Sequence, residues 1–246
     1  MKRIGYIIAL LLLPTMGFAQ GDDFGVWASV GAEKKINKRW DAGLEVEMRT
    51  RDNASAMDRW SFGAYGDYKV ASWLKASAGY DLLDDNNDRC TYHSDGTINK
   101  EAKFWGVRHR FSFSLTGDVD LGNFNVSLRE RWQYTYRPEK TISERYDYDQ
   151  KDYDDEEHTY RGKGKNVLRS RLQVSYNIPN CKIEPYADVE LYNAWNVETA
   201  RYTVGADWKI AKQHVVGLYY RYQKTYDDDD DEPNCHILGV TYKYKF

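Results

Sequence analysis

Trp40-Asp41-Ala42-Gly43-Leu44-Glu45-Val46-Glu47-Met48-Arg49-Thr50-Arg51 decides the fold class. In an extended chain, successive side chains point to opposite faces. Trp40, Ala42, Leu44, Val46 and Met48 therefore share one face, while Asp41, Gly43, Glu45, Glu47, Arg49 and Arg51 share the other. Soluble antiparallel sheets alternate too, but they seldom stack charges along the second face of strand after strand. A barrel with lipid outside and water inside needs that arrangement.

Working outward, the same period recurs in eleven segments: 24–35, 40–51, 59–70, 73–83, 101–115, 123–137, 166–177, 183–193, 200–210, 213–224 and 235–246. In 200–210, Tyr202, Val204, Ala206, Trp208 and Ile210 oppose Arg201, Thr203, Gly205, Asp207 and Lys209. In the last segment, Leu238, Val240, Tyr242, Tyr244 and Phe246 oppose Gly239, Thr241, Lys243 and Lys245. Most segments run to 10–15 residues; a tilted membrane strand needs about 9–11 and a soluble strand averages about 5–6. The pattern predicts an all-β, transmembrane antiparallel barrel with short turns at one end and longer loops at the other. Bacterial single-chain barrels have even strand numbers, so the expectation is twelve strands, with ten as the alternative. Two segments fit badly, because His109 and Glu130 fall on apolar faces; a bulge or an interfacial position would explain them.

Composition agrees. Lys plus Arg number 35 against 38 Asp plus Glu, a formal charge of −3 that does not favour nucleic acid. Charged residues make up 30% of the chain, which excludes a bundle of membrane helices. The 21 tyrosines, 8 tryptophans and 8 phenylalanines are too many for a disordered acidic chain.

Residues 1–19 read as a signal peptide: a basic start at Lys2 and Arg3, an apolar run from Ile4 to Leu13, and Gly17-Phe18-Ala19 as the cleavage site. Residues 20–246 then form one barrel domain, expected in an outer membrane with its lipids as neighbours.

The chain resembles outer-membrane β-barrels over this whole length. Val240-Thr241-Tyr242-Lys243-Tyr244-Lys245-Phe246 is similar to the signal read by the barrel-insertion machinery, with Tyr242, Tyr244 and Phe246 as its aromatics. Phe24-Gly25-Val26-Trp27-Ala28-Ser29-Val30, followed by Glu45, Glu47, Arg49 and Arg51, resembles an exported family known only as a domain of unknown function. That resemblance implies a barrel and supplies no activity.

The wet face offers the functional candidates. Inward basic residues include Arg49, Arg51, Arg108, Arg110, Arg129, Arg131, Arg169, Arg171 and Arg201; inward acids include Glu45, Glu47, Glu184, Asp188 and Glu190. Excess positive charge in a low-dielectric enclosure focuses anions. The arrangement looks similar to small channels for acidic oligosaccharides and points to passive passage of small anionic solutes. The alternative is a plugged, salt-bridged interior serving a structural or surface-interaction role.

Acidic runs occur at 147–157 and 227–232; the first lacks EF-hand order, and such runs more often form a solvated surface, so the expectation is no specific metal site, only diffuse divalent cations at the surface. Cys90 and Cys235 both fall at the loop end and are the expected disulfide, with Cys181 in a turn at the opposite end. No G-x-S-x-G elbow, H-E-x-x-H pair or phosphate loop occurs. No catalytic residue or cofactor is assigned, and a membrane lipid hydrolase or acyltransferase is the weakest reading.

Overall fold

The computed structural model describes residues 21–154, 156–194, 196–226 and 233–246. The expected signal peptide and the acidic run at 227–232 lie outside them. Fifteen strands form in chain order: β1 (Asp23–Lys35), β2 (Trp40–Arg51), β3 (Ala56–Lys69), β4 (Leu74–Tyr92), β5 (Ile98–Leu121), β6 (Phe124–Arg137), β7 (Lys140–Ile142), β8 (Arg145–Asp147), β9 (Asp152–Asp154), β10 (His158–Tyr160), β11 (Lys163–Tyr176), β12 (Ile183–Asn193), β13 (Val197–Lys209), β14 (His214–Thr225) and β15 (Cys235–Lys245). Among the described residues there is no helix.

Eleven of these strands make the wall. They pair in the order β1, β2, β3, β4, β5, β6, β11, β12, β13, β14, β15, and β15 returns to β1. Every wall pair is antiparallel except that last one, which is parallel from Asp23↔Cys235 to Glu33↔Lys245. The expected counts of twelve and ten are therefore both corrected to eleven. An odd number closes once a single parallel ladder is allowed, and β1 is long enough to supply it. Each of the eleven alternating segments corresponds to one wall strand.

The strands turn their apolar faces outward. Val30, Leu44, Phe62, Phe113, Leu128, Leu172, Val204, Leu238 and Val240 are all exposed, the reverse of a soluble core. Trp40, Trp73 and Trp208 are exposed toward the short-turn end, and Trp60, Trp105 and Trp132 toward the loop end. Such girdles suit amphipathic rings.

His109 and Glu130 do face outward, with no bulge at either site. Each has a polar neighbour on the next strand. His109 Nδ1 is 2.8 Å from the Tyr80 hydroxyl, and the Ser170 hydroxyl donates to Glu130 at 2.7 Å. A hydrogen bond reduces the cost of a polar group facing hydrocarbon.

Two strands outrun the wall. β4 and β5 contain 19 and 24 residues, and their upper ends pair with each other out to Tyr92↔Ile98. β8 and β9 extend this sheet beside β5, while β7 and β10 pair as a separate two-stranded sheet. The Lys100 ammonium on β5 ties in β8 and β9, 2.6 Å from Asp154 and 3.5 Å from Asp147. A side-chain bond from Lys100 holds the Asp154 carboxyl below its usual range. Backbone donation from Gln150 does the same for Asp147.

The closure seam is packed from inside by Trp27, Tyr219 and Ile237, with Tyr186 and Cys235 against them. Tyr219 lies directly opposite Gly205 on β13 and Gly239 on β15. Its ring lies across Gly239 so closely that any side chain there would overlap it. Replacing Gly239 with valine is expected to cost about 1–3 kcal/mol of overpacking. The temperature at which the barrel loses its compact mobility on a detergent gel should fall. Adding Tyr219→Ala should restore part of the loss; an unchanged transition in G239V would refute this packing.

Candidate functional site

The site is the barrel interior. A cavity of about 240 Å³ is walled by eight arginines, Arg49, Arg110, Arg129, Arg131, Arg169, Arg171, Arg201 and Arg221, and by four carboxylates, Glu45, Glu47, Asp81 and Glu190. Trp27, Ser61, Gly63 and Leu83 complete it. These side chains converge because the inward positions of β1 to β6 and β11 to β14 meet across a narrow ring.

Carboxylates neutralise part of this charge. Glu47 takes Arg49 at 2.6 Å. Glu190 takes Arg129 at 2.5 Å and Arg169 at 2.8 Å, and the Tyr192 hydroxyl donates to it at 3.2 Å. Arg201 instead donates to Gln223 at 2.8 Å and to the Tyr192 hydroxyl, and Arg221 donates to Thr203 at 3.0 Å. Aromatic faces add to these contacts. The guanidinium carbons of Arg49, Arg201 and Arg221 lie 3.7, 5.0 and 5.4 Å from the Trp27 ring centre, within cation–π range. Chemically, the chamber can hold anions through charge and forked hydrogen bonds.

A family model described as "Protein of unknown function (DUF2490)" matches residues 24–234. The chain belongs to this family. No curated protein matches the DUF2490 chain. Its fold is similar to the translocator domain of autotransporter NalP from Neisseria meningitidis, at 13% identity and a TM-score of 0.53, covering 91% of this chain and 90% of that one. It is also similar to the β-domain of the Bordetella autotransporter Brka, at 13% identity and a TM-score of 0.52, covering 82% and 79%. These likenesses show a membrane β-barrel fold and no activity.

Among the residues anticipated from the DUF2490 sequence, Arg49, Arg110, Arg129, Arg131, Arg169, Arg171, Arg201, Glu45, Glu47 and Glu190 meet in the cavity. Four lie elsewhere. Arg51 is at the loop rim, 3.5 Å from Asp52. Arg108 stands one step above the chamber, 2.6 Å from Asp85. Glu184 is near the short-turn rim with Lys209 at 2.7 Å, and Asp188 is buried opposite Thr203. Asp85, which also binds Arg59, escaped because Asp84-Asp85-Asn86-Asn87-Asp88 reads as a loop. The signal was present, since Asp81, Leu83, Asp85 and Asn87 continue the inward alternation of β4. Tyr242 and Tyr244 lie in the last turn-ward residues of β15 and Phe246 directly follows it, at the short-turn rim, where the Tyr242 hydroxyl is 2.8 Å from His214 Nδ1.

The expected Cys90–Cys235 disulfide is not formed, because Cys90 carries a free thiol. Between β4 and β15 stand β3, β2 and β1. At about 4.8 Å per strand this is about 19 Å along the wall, whereas a disulfide needs Cα atoms about 4.4–6.8 Å apart. Sharing a rim does not bring two cysteines together when their strands are not neighbours around it. Asp88, Cys90 and Glu101 do cluster, with ligand atoms within 4.8 Å of one another. The Lys103 ammonium sits beside them, 2.8 Å from Glu101 and 3.8 Å from Asp88, and offsets part of their charge.

Burial, and then the Asp88 and Glu101 carboxylates, push the Cys90 thiol up. A raised thiol pKa lowers the thiolate fraction at any pH below it, and the thiolate is what reacts. Alkylation of Cys90 in the folded barrel should be slower than that of a free-cysteine standard at pH 8. The gap should narrow as pH rises, and Glu101→Gln should accelerate the reaction. Rates from mass spectrometry that match the standard at every pH would contradict this environment.

Proposed function

We propose that the chain is exported by the leader at residues 1–19, that the insertion machinery reads its terminal aromatics, and that it resides in an outer membrane. There it passes small anionic solutes passively. The observation that carries this reading is the excess of guanidinium over carboxylate on the cavity wall, eight against four. A net positive field inside low-dielectric walls concentrates anions and repels cations. The plugged, structural reading draws on the internal network around Glu190 and Asp85. Diffuse divalent cations at the acidic loops are compatible with either.

Planar bilayers separate the two. The folded protein should conduct, with a reversal potential displaced toward the anion in a salt gradient. The displacement should shrink as salt rises, because the screening length falls below about 8–10 Å above physiological ionic strength. Replacing Arg110 and Arg221 with glutamine removes two of the excess charges and should weaken the preference by about half if the field is additive. Outward Leu128→Gln is the control. Intact heat-modifiable mobility in all variants is required for the comparison, and a folded barrel that carries no current would establish the plugged reading.

A further inference from the structure

Four arginines on two neighbouring strands form a quartet in the lumen. In the β6–β11 register, Arg129 is directly opposite Arg171 and Arg131 directly opposite Arg169. Like charges in such positions destabilise a sheet, so counter-charge has to enter the group. Glu190 makes direct ion pairs on one diagonal only, with Oε1 on Arg129 and Oε2 on Arg169; Asp81 and Asp188 attract Arg131 and Arg171 from beyond ion-pair distance. On the other diagonal, Arg131 and Arg171 make no ion pair with a described residue, although both line the cavity. The Nε atoms of all four arginines are buried without a hydrogen-bond partner, so the missing ion pair is what sets the second diagonal apart. On the adjoining strands, Arg131 lies opposite Ser114, and Arg171 opposite Glu190, whose oxygens are directed to the first diagonal.

We propose that Arg131 and Arg171 form a binding site for the carboxylate of a solute. That carboxylate would bridge the second diagonal as Glu190 bridges the first. Glu190 shows that two guanidiniums across this ladder can share one carboxylate, and the guanidinium fork matches carboxylate geometry. The proposal rests on the anion-passing reading in needing a lumen open to solute, but it requires binding rather than flow.

The test is saturable broadening of the carboxylate signal of ¹³C-labelled acetate by the full-length barrel in detergent at low ionic strength. Acetamide, the neutral isostere, should not compete, and sulfate should compete no better than acetate. Replacing Arg131 and Arg171 together with glutamine should weaken acetate binding at least tenfold. The same double variant should unfold at a higher temperature, because it removes two unpaired like charges. Lysine at both positions should keep the charge and lose much of the affinity. Should either double variant fail to fold, Glu190→Gln gives an independent reading: it frees Arg129 and Arg169, so acetate uptake should rise severalfold. Broadening that does not saturate, equal competition by acetamide, tighter binding of sulfate, or acetate binding unchanged in R131Q/R171Q would overturn the site. Saturable acetate binding without bilayer current would overturn passage alone; anion-selective current without saturable binding would overturn this site alone.

Discussion

The parallel hydrogen-bond ladder between β1 and β15 is the constraint on which the other features depend. Hydrocarbon offers no partner to a backbone N–H or C=O, so a membrane sheet must have no open edge. With eleven wall strands, the first and last run in the same direction and can meet only in parallel. The two ends of the ring strands consequently lie at opposite rims. At the short-turn rim, Lys35 donates to Phe246 and Phe246 to Glu33, at 3.0 and 2.9 Å. At the loop rim, Asp23 accepts from the amides of Asp52 and Asn53 at 3.1 and 2.7 Å. That bond anchors a turn in which Asp52, Asn53 and Ala54 all have positive φ, an uncommon conformation for residues with a Cβ.

Closure also fixes what the interior must contain. An eleven-strand ring is narrow, and long side chains reaching from opposite walls fill it. Arginine and tyrosine do so with polar tips that bond to one another, as in the group of Arg201, Tyr192, Glu190 and Arg169. Trp27 on the seam strand stands among Arg49, Arg201 and Arg221. Its ring offers electron density to three cations at once without adding a carboxylate. The same side chains thus close the seam from within and set the sign of the chamber.

The wall was legible because lipid and water impose opposite demands on alternate residues, as Leu44–Glu45–Val46–Glu47 shows. Strand number was legible from the same pattern; the expectation of evenness displaced it. The upper reach of β4 was not, since the apolar alternation stops at Asp84 to Asp88 although pairing with β5 continues. His109 and Glu130 looked like register faults because their relief comes from Tyr80 and Ser170 on adjacent strands, which one strand's pattern does not reveal. For the site, facing was readable for most of the arginines. Which carboxylate meets which guanidinium depends on cross-strand register, and the sequence does not carry that.

Register is also what separates a filled interior from a working one. A buried cation without a counter-charge is costly, and a carboxylate placed beside it recovers much of that cost. An interior needed only as filling would be expected to place acids where arginines face one another. At Asp85 the chain does this, setting one carboxylate between Arg59 and Arg108. At the β6–β11 ladder it sets four arginines in two opposed pairs, and among the described residues only Glu190 comes within ion-pair distance of them, on one diagonal. Both arrangements occur in one barrel, so compensation was within reach of the fold. The uncompensated diagonal is then best understood as a place whose counter-charge comes from outside the chain.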